Sequence, residues 1–111
     1  AFRLAQVGPD VIDAPTAASL HAAGATILDV RNPDEVARVS IPGAVTLPLP
    51  QLSAGSLDGL PSDPAAPVVT VCAAGVRSLY ALLLLKAQGY QNVKSLAGGV
   101  GAWGEAGLPT A

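Results

Sequence analysis

The residues best suited to chemistry lie together in Val69-Thr70-Val71-Cys72-Ala73-Ala74-Gly75-Val76-Arg77-Ser78, the stretch that carries the single cysteine. A β-branched apolar run delivers Cys72 to a short Gly-containing turn, and a helical pattern begins straight after it. A thiol so placed meets the backbone amides of the turn and the positive end of a helix dipole. Both favour negative charge, so Cys72 is expected as a stabilised thiolate and hence a nucleophile. Arg77 in the same helix start opposes the dipole. That placement makes sense if its charge meets an anion, either a substrate or a carboxylate such as Glu35.

The 111 residues are expected to form one domain with a real hydrophobic core, since 50% of them are apolar. Aromatic residues are few, so the core must be built mainly from Ala, Val and Leu. Twelve glycines and ten prolines alternate with apolar segments, a pattern of tight turns and not of disorder. The formal charge of −2 is spread over scattered ions and leaves no basic patch, which argues against nucleic acid as a partner. A lone cysteine with one distant histidine, His21, rules out a disulfide framework and makes a metal site improbable. No cofactor motif stands in the chain. The free thiol fits a cytoplasmic location, and the longest apolar run, Leu79 to Leu85, is too short to span a bilayer.

The elements that must hold the cysteine alternate between strand and helix. Residues 2–7 predict a first short strand. Asp13 can cap a helix running to Ala23, with Gly24 as its left-handed terminator. Thr26 to Val30 reads as a buried strand, Pro33 to Val39 as a short helix, and Val45 to Leu47 as a strand after the turn at Ile41-Pro42-Gly43-Ala44. Residues 48–66 are rich in proline and serine and predict a loop with one helical turn near Gln51. Pro67 to Val71 is the next strand, and Ser78 to Gln88 the strongest helix. Its run Leu82-Leu83-Leu84-Leu85 suggests a helix packed between layers. A strand at Asn92 to Leu96 and a helix at Val100 to Ala106 complete the pattern. Such alternation implies an α/β fold, a parallel sheet flanked on both faces by helices, with the site beyond the carboxyl ends of its strands.

The loop Cys-x-x-Gly-x-Arg-Ser after a buried strand resembles the active-site loop of the rhodanese-like sulfurtransferases. Leu28-Asp29-Val30-Arg31 with Pro33 and Glu35 is similar to a second family segment, and Ile41-Pro42-Gly43-Ala44 to a third. Gly89-Tyr90, Asn92-Val93, Leu96, Gly98-Gly99, Trp103 and Gly107-Leu108-Pro109 resemble the C-terminal signature. The ordered set covers roughly residues 10 to 109. The resemblance implies a sheet of about five strands and transfer of a sulfane sulfur through a persulfide on Cys72. The donor would be a small sulfur-containing anion such as thiosulfate, and the acceptor cyanide, a thiol or a protein sulfur acceptor. The loop residues Ala73, Ala74, Gly75, Val76, Arg77 and Ser78 would then hold the anionic sulfur through their amides.

Two other readings belong to the same fold. A non-catalytic rhodanese-fold binding module commonly lacks the cysteine that this chain keeps. Related phosphatases and arsenate reductases use a Cys-x5-Arg loop, whereas Cys72 to Arg77 is Cys-x4-Arg. The tighter ring suits one sulfur atom better than a phosphoryl group. The chain also has Ser40 where many family members have histidine before Ile-Pro-Gly-Ala.

Around the loop, Asp29 reads as a structural ion pair or loop anchor, while Arg31 stands as a substrate-facing candidate. Ser78 reads as a cap or hydrogen-bonder, since no base accompanies it. His21 lies in an Ala-rich helix and reads as a surface residue, and Trp103 as a packing anchor. Gly99-Val100-Gly101-Ala102-Trp103-Gly104 matches Gly-x-Gly-x-x-Gly by letter. A nucleotide site needs a further strand and an acidic residue about 20 positions on, and neither follows.

Overall fold

The computed structural model describes residues 10–111. Its chain order is β1 (Val11–Ile12), α1 (Ala14–Ala22), β2 (Thr26–Asp29), α2 (Pro33–Arg38), β3 (Val45–Thr46), α3 (Leu49–Ser53), β4 (Val68–Val71), α4 (Val76–Ala87), β5 (Val93–Leu96) and α5 (Gly99–Glu105). The five strands form one sheet in the order β1-β5-β4-β2-β3, and every neighbouring pair is parallel. The strand expected over residues 2–7 lies outside the described residues. The edge strand found is Val11–Ile12.

Each central strand is apolar on both faces, as a sheet covered twice must be. Leu28, Val68, Cys72 and Val93 face one layer, where Ala81, Leu82 and Leu85 of α4 and Leu52 of α3 cover them. Ile27, Val69, Val71 and Leu96 face the other, where Ala14 and Ala17 of α1 and Val100 and Trp103 of α5 pack. Trp103 is thus a core anchor, and its Nε1–H also donates to the Pro109 carbonyl at 2.7 Å.

Local chemistry sets the helix ends. Asp13 Oδ1 accepts the Thr16 amide at 3.0 Å and starts α1. α4 begins two residues earlier than its sequence pattern suggests, because Gly75 takes a left-handed φ of 103° and caps it. The expectation that α4 lies between layers is corrected: Leu82 and Leu85 are buried, while Leu83 is 62% exposed. Its far side meets solvent, along with the exposed Val76 and Tyr80. No helix among the described residues is long and apolar enough to cross a membrane.

Candidate active site

β4 ends at Val71 in the middle of the sheet, and Cys72 is the first residue past it. Parallel strands bring all their carboxyl ends to one edge, so the loops after β2, β4 and β5 converge there. Cys72 is 1% exposed and lies on the floor of the loop, while Ala73, Ala74 and Val76 are exposed on its rim.

The thiol is surrounded by donors. The Gly75 N–H donates to Cys72 Sγ at 3.0 Å, and Ser78 Oγ lies 3.5 Å away. Burial pushes the Cys72 thiol up. Hydrogen bonds from the Ser78 hydroxyl and from the amides of Ser78, Gly75 and Ala74 outweigh that cost and leave it below the ordinary thiol range. Ser78 stands in the first turn of α4, where its amide has no partner within the helix. An anionic sulfur supplies that partner.

The first two carbonyls of the loop are held from outside. The Val100 N–H donates to the Cys72 carbonyl at 2.9 Å, and the Gly101 N–H lies 3.4 Å from that of Ala73. Both donors belong to the free first turn of α5. Gly99 makes this approach possible, with a φ of 58°. A Cβ there would overlap the Cys72 carbonyl oxygen and lie 2.6 Å from that of Ala73. Of the Gly-x-Gly-x-x-Gly letters, Gly99 and more loosely Gly101 therefore mark backbone packing against the cysteine loop, while a Cβ at Gly104 would meet nothing.

A second support comes from β2. Arg31 is buried with Asp29, to which its Nε donates at 2.9 Å and its Nη2 at 2.7 Å. Nη2 also donates to the Val39 carbonyl at 2.7 Å, and Nη1 to that of Glu35 at 3.4 Å. Arg31 was expected as a substrate-facing candidate, and most of its donors go to Asp29 and to the carbonyls of Glu35 and Val39. It still borders a shallow depression of about 540 Å3 shared with Ala73, Gly101 and Thr110. Asp29 is the expected structural partner.

Arg77 meets the carboxylate that was its expected alternative to a substrate. Its Nη1 donates to Glu35 Oε1 at 2.7 Å and its Nη2 to Oε2 at 2.9 Å. Glu35 also accepts the Asn32 amide at 3.1 Å. The Arg77 donors, then that amide, hold its carboxyl down at about 2.

Three contributors were invisible in the sequence as site residues. Ser95 Oγ–H donates to Ser78 Oγ at 2.9 Å, and Thr70 Oγ1–H donates to the Ser78 carbonyl at 2.8 Å. Their signal was polarity at strand positions flanked by Val68, Val71, Val93 and Leu96. The third is His21, expected at the surface. It is partly buried, with Nε2 3.1 Å from the Pro42 carbonyl and Nδ1 3.3 Å from that of Ala25. It thereby braces the turn that Ser40 enters. No group of three His, Cys, Asp or Glu residues able to hold a metal comes together among the described residues.

The family model of the rhodanese-like domain matches residues 13–106, a span that includes the Cys72 loop. The chain belongs to the rhodanese-like domain family. A sulfurtransferase from Allochromatium vinosum is 40% identical over 83 residues, which is 75% of this chain and 75% of that protein. The chloroplastic thiosulfate sulfurtransferase 16 of Arabidopsis thaliana is 30% identical, covering 92% of each chain. The structure of a human single-domain sulfurtransferase superposes with a TM-score of 0.77 at 30% identity, covering 88% of this rhodanese-like domain and 97% of the human chain. These relatives support the expected rhodanese-type sulfurtransferase.

Proposed function

We propose that this rhodanese-like domain moves a sulfane sulfur from a small anion such as thiosulfate to cyanide or a thiol acceptor, through a persulfide on Cys72. The Cys72 thiolate attacks the outer sulfur of thiosulfate. A new S–S bond forms as the old one breaks, and sulfite leaves with the electron pair. The outer sulfur of the resulting Cys72 persulfide is then attacked by cyanide or an acceptor thiolate. Thiocyanate or an acceptor persulfide departs, and the Cys72 thiolate returns. No external oxidant is required in either half.

The observation that carries this reading is the ring of donors around a thiol held below its ordinary range. In the proposal the amides of Ala73, Ala74, Gly75, Val76, Arg77 and Ser78 hold the anionic sulfur. Arg31 acts as a positioning residue that fixes α2 and so sets Glu35 under Arg77. The ion pair also weighs against the phosphatase reading. A phosphate dianion would have to displace Glu35 from the Arg77 fork, which both carboxylate oxygens already fill. A cytoplasmic location fits the free thiol.

The test is intact mass after incubation with thiosulfate. The protein should gain one sulfur atom and release it as thiocyanate on addition of cyanide, and Cys72→Ser should do neither. Turnover of an aryl phosphate without sulfur loading would replace the proposal with the phosphatase reading. Neither activity would leave the binding-module reading.

A further inference from the structure

We infer that Ser95 is a positioning residue for the sulfur chemistry: its hydroxyl holds the Ser78 hydroxyl hydrogen on Cys72 Sγ. The inference rests on the proposed function for its catalytic meaning, but the geometry stands by itself. Ser95, Ser78 and Cys72 form a buried chain, each 1% exposed or less, with links of 2.9 Å between the hydroxyls and 3.5 Å to sulfur. Parallel register places Ser95 beside Thr70, two residues before Cys72, so sheet pairing itself brings the hydroxyl to the site. Thr70 fixes the other side: its hydroxyl donates to the Ser78 carbonyl at 2.8 Å, with the Lys94 carbonyl 3.2 Å away.

Counting hydrogens shows what the chain favours. A hydroxyl has one hydrogen to donate, and burial makes an undonated one costly. With a thiolate, Ser95 donates to Ser78, Ser78 donates to sulfur, and both hydrogens are used. With a thiol there are three hydrogens and two links, so one is left without an acceptor in the chain. A persulfide anion attached to Cys72 leaves the same two donors in the same order. The charged groups on α4 and the neighbouring elements are Arg77 with Glu35, Asp29 with Arg31, and Lys86 and Lys94 with Asp10, all in ion pairs. The Ser95–Ser78 chain is the uncharged lever among them.

The experiment follows the ultraviolet absorbance of the Cys72 thiolate against pH in the full chain, where a single cysteine gives a single signal. Ser95→Ala should move the titration upward by about half to one pH unit, a roughly three- to tenfold loss of thiolate below the midpoint. Ser95→Thr and Ser95→Val, matched in shape, should keep and lose the parental titration respectively. Ser78→Ala should shift it at least as far, and adding Ser95→Ala to that variant should shift it no further. A merely structural Ser95 would lower Tm in its variants without moving the titration. A parental titration in folded Ser95→Ala or Ser95→Val, or additive shifts in the double variant, overturns the inference. Failure of the parent to take up sulfur from thiosulfate would sink the proposed function instead, since the titration involves no donor.

Discussion

Arg77 and Glu35, separated by 42 positions in sequence, meet in a two-pronged ion pair at the rim of the cysteine loop. The pair joins α4 to α2, and Arg31 ties α2 to the end of β2. The loop is therefore strapped to two strands of the sheet by charge as well as by backbone.

The strap should be sensitive to acid. The Glu35 carboxyl is held down at about 2 when folded, against about 4.3 for a free glutamate. A depressed folded value contributes stability that is present above the unfolded value and lost as pH falls toward the folded one. Melting temperatures recorded from neutral pH to about 2 should show this loss below about 4.3, and Glu35→Gln should flatten it. Both side chains are partly exposed, so the difference should be about 1 kcal/mol or less and should shrink in high salt.

Beneath the strap, the buried Asp29–Arg31 pair should be less forgiving. Asp29→Ala leaves a guanidinium at 3% exposure without its counter-charge. The expected cost in urea denaturation is about 3–5 kcal/mol. Arg31→Lys should recover little of it, because an ammonium cannot span the carboxylate and the Val39 carbonyl together.

Reactivity should report the donor ring directly. With the Cys72 thiol held below its ordinary range, alkylation by iodoacetamide should keep its rate as pH falls past about 8.5, where free cysteine slows. The rate should fall only when pH drops through the lowered value. An ordinary cysteine profile in the folded protein would contradict the ring.

Gly99→Ala should be the most damaging one-carbon change near the site. The new Cβ meets backbone oxygens on a held loop, and the left-handed φ adds roughly 1 kcal/mol of its own. A total loss of about 2–4 kcal/mol is expected in thermal melts, together with loss of the lowered thiol titration. Gly104→Ala, with nothing within 4 Å of its Cβ, serves as the control and should stabilise by up to about 1 kcal/mol without moving the thiol titration.

Apart from the edge strand Val11–Ile12, the sheet, the helices and the place of Cys72 were legible because β-branched runs and turn residues report local structure directly. Asp13 shows this well, capping α1 as its spacing suggests. What remained hidden depends on which groups meet across the fold. The Val100 amide reaches Cys72 only through the return of β5, Ser95 only through parallel register, and His21 only through the packing of α1 on the Pro42 turn. The Arg31 partners were hidden because a buried guanidinium and a substrate-facing one look alike in sequence. Leu83 was misread because a run of four leucines has no period to reveal which of them the sheet covers.

The Val100 amide holds the Cys72 carbonyl at 2.9 Å. A peptide group whose oxygen is already bound cannot rotate its amide away without breaking that bond. The Ala73 N–H, which shares this peptide, is thus fixed when the chain folds, and the Gly101 contact with the Ala73 carbonyl does the same for the Ala74 N–H. In the proposed reaction, sulfur-loaded and empty forms of the loop should therefore share one backbone there.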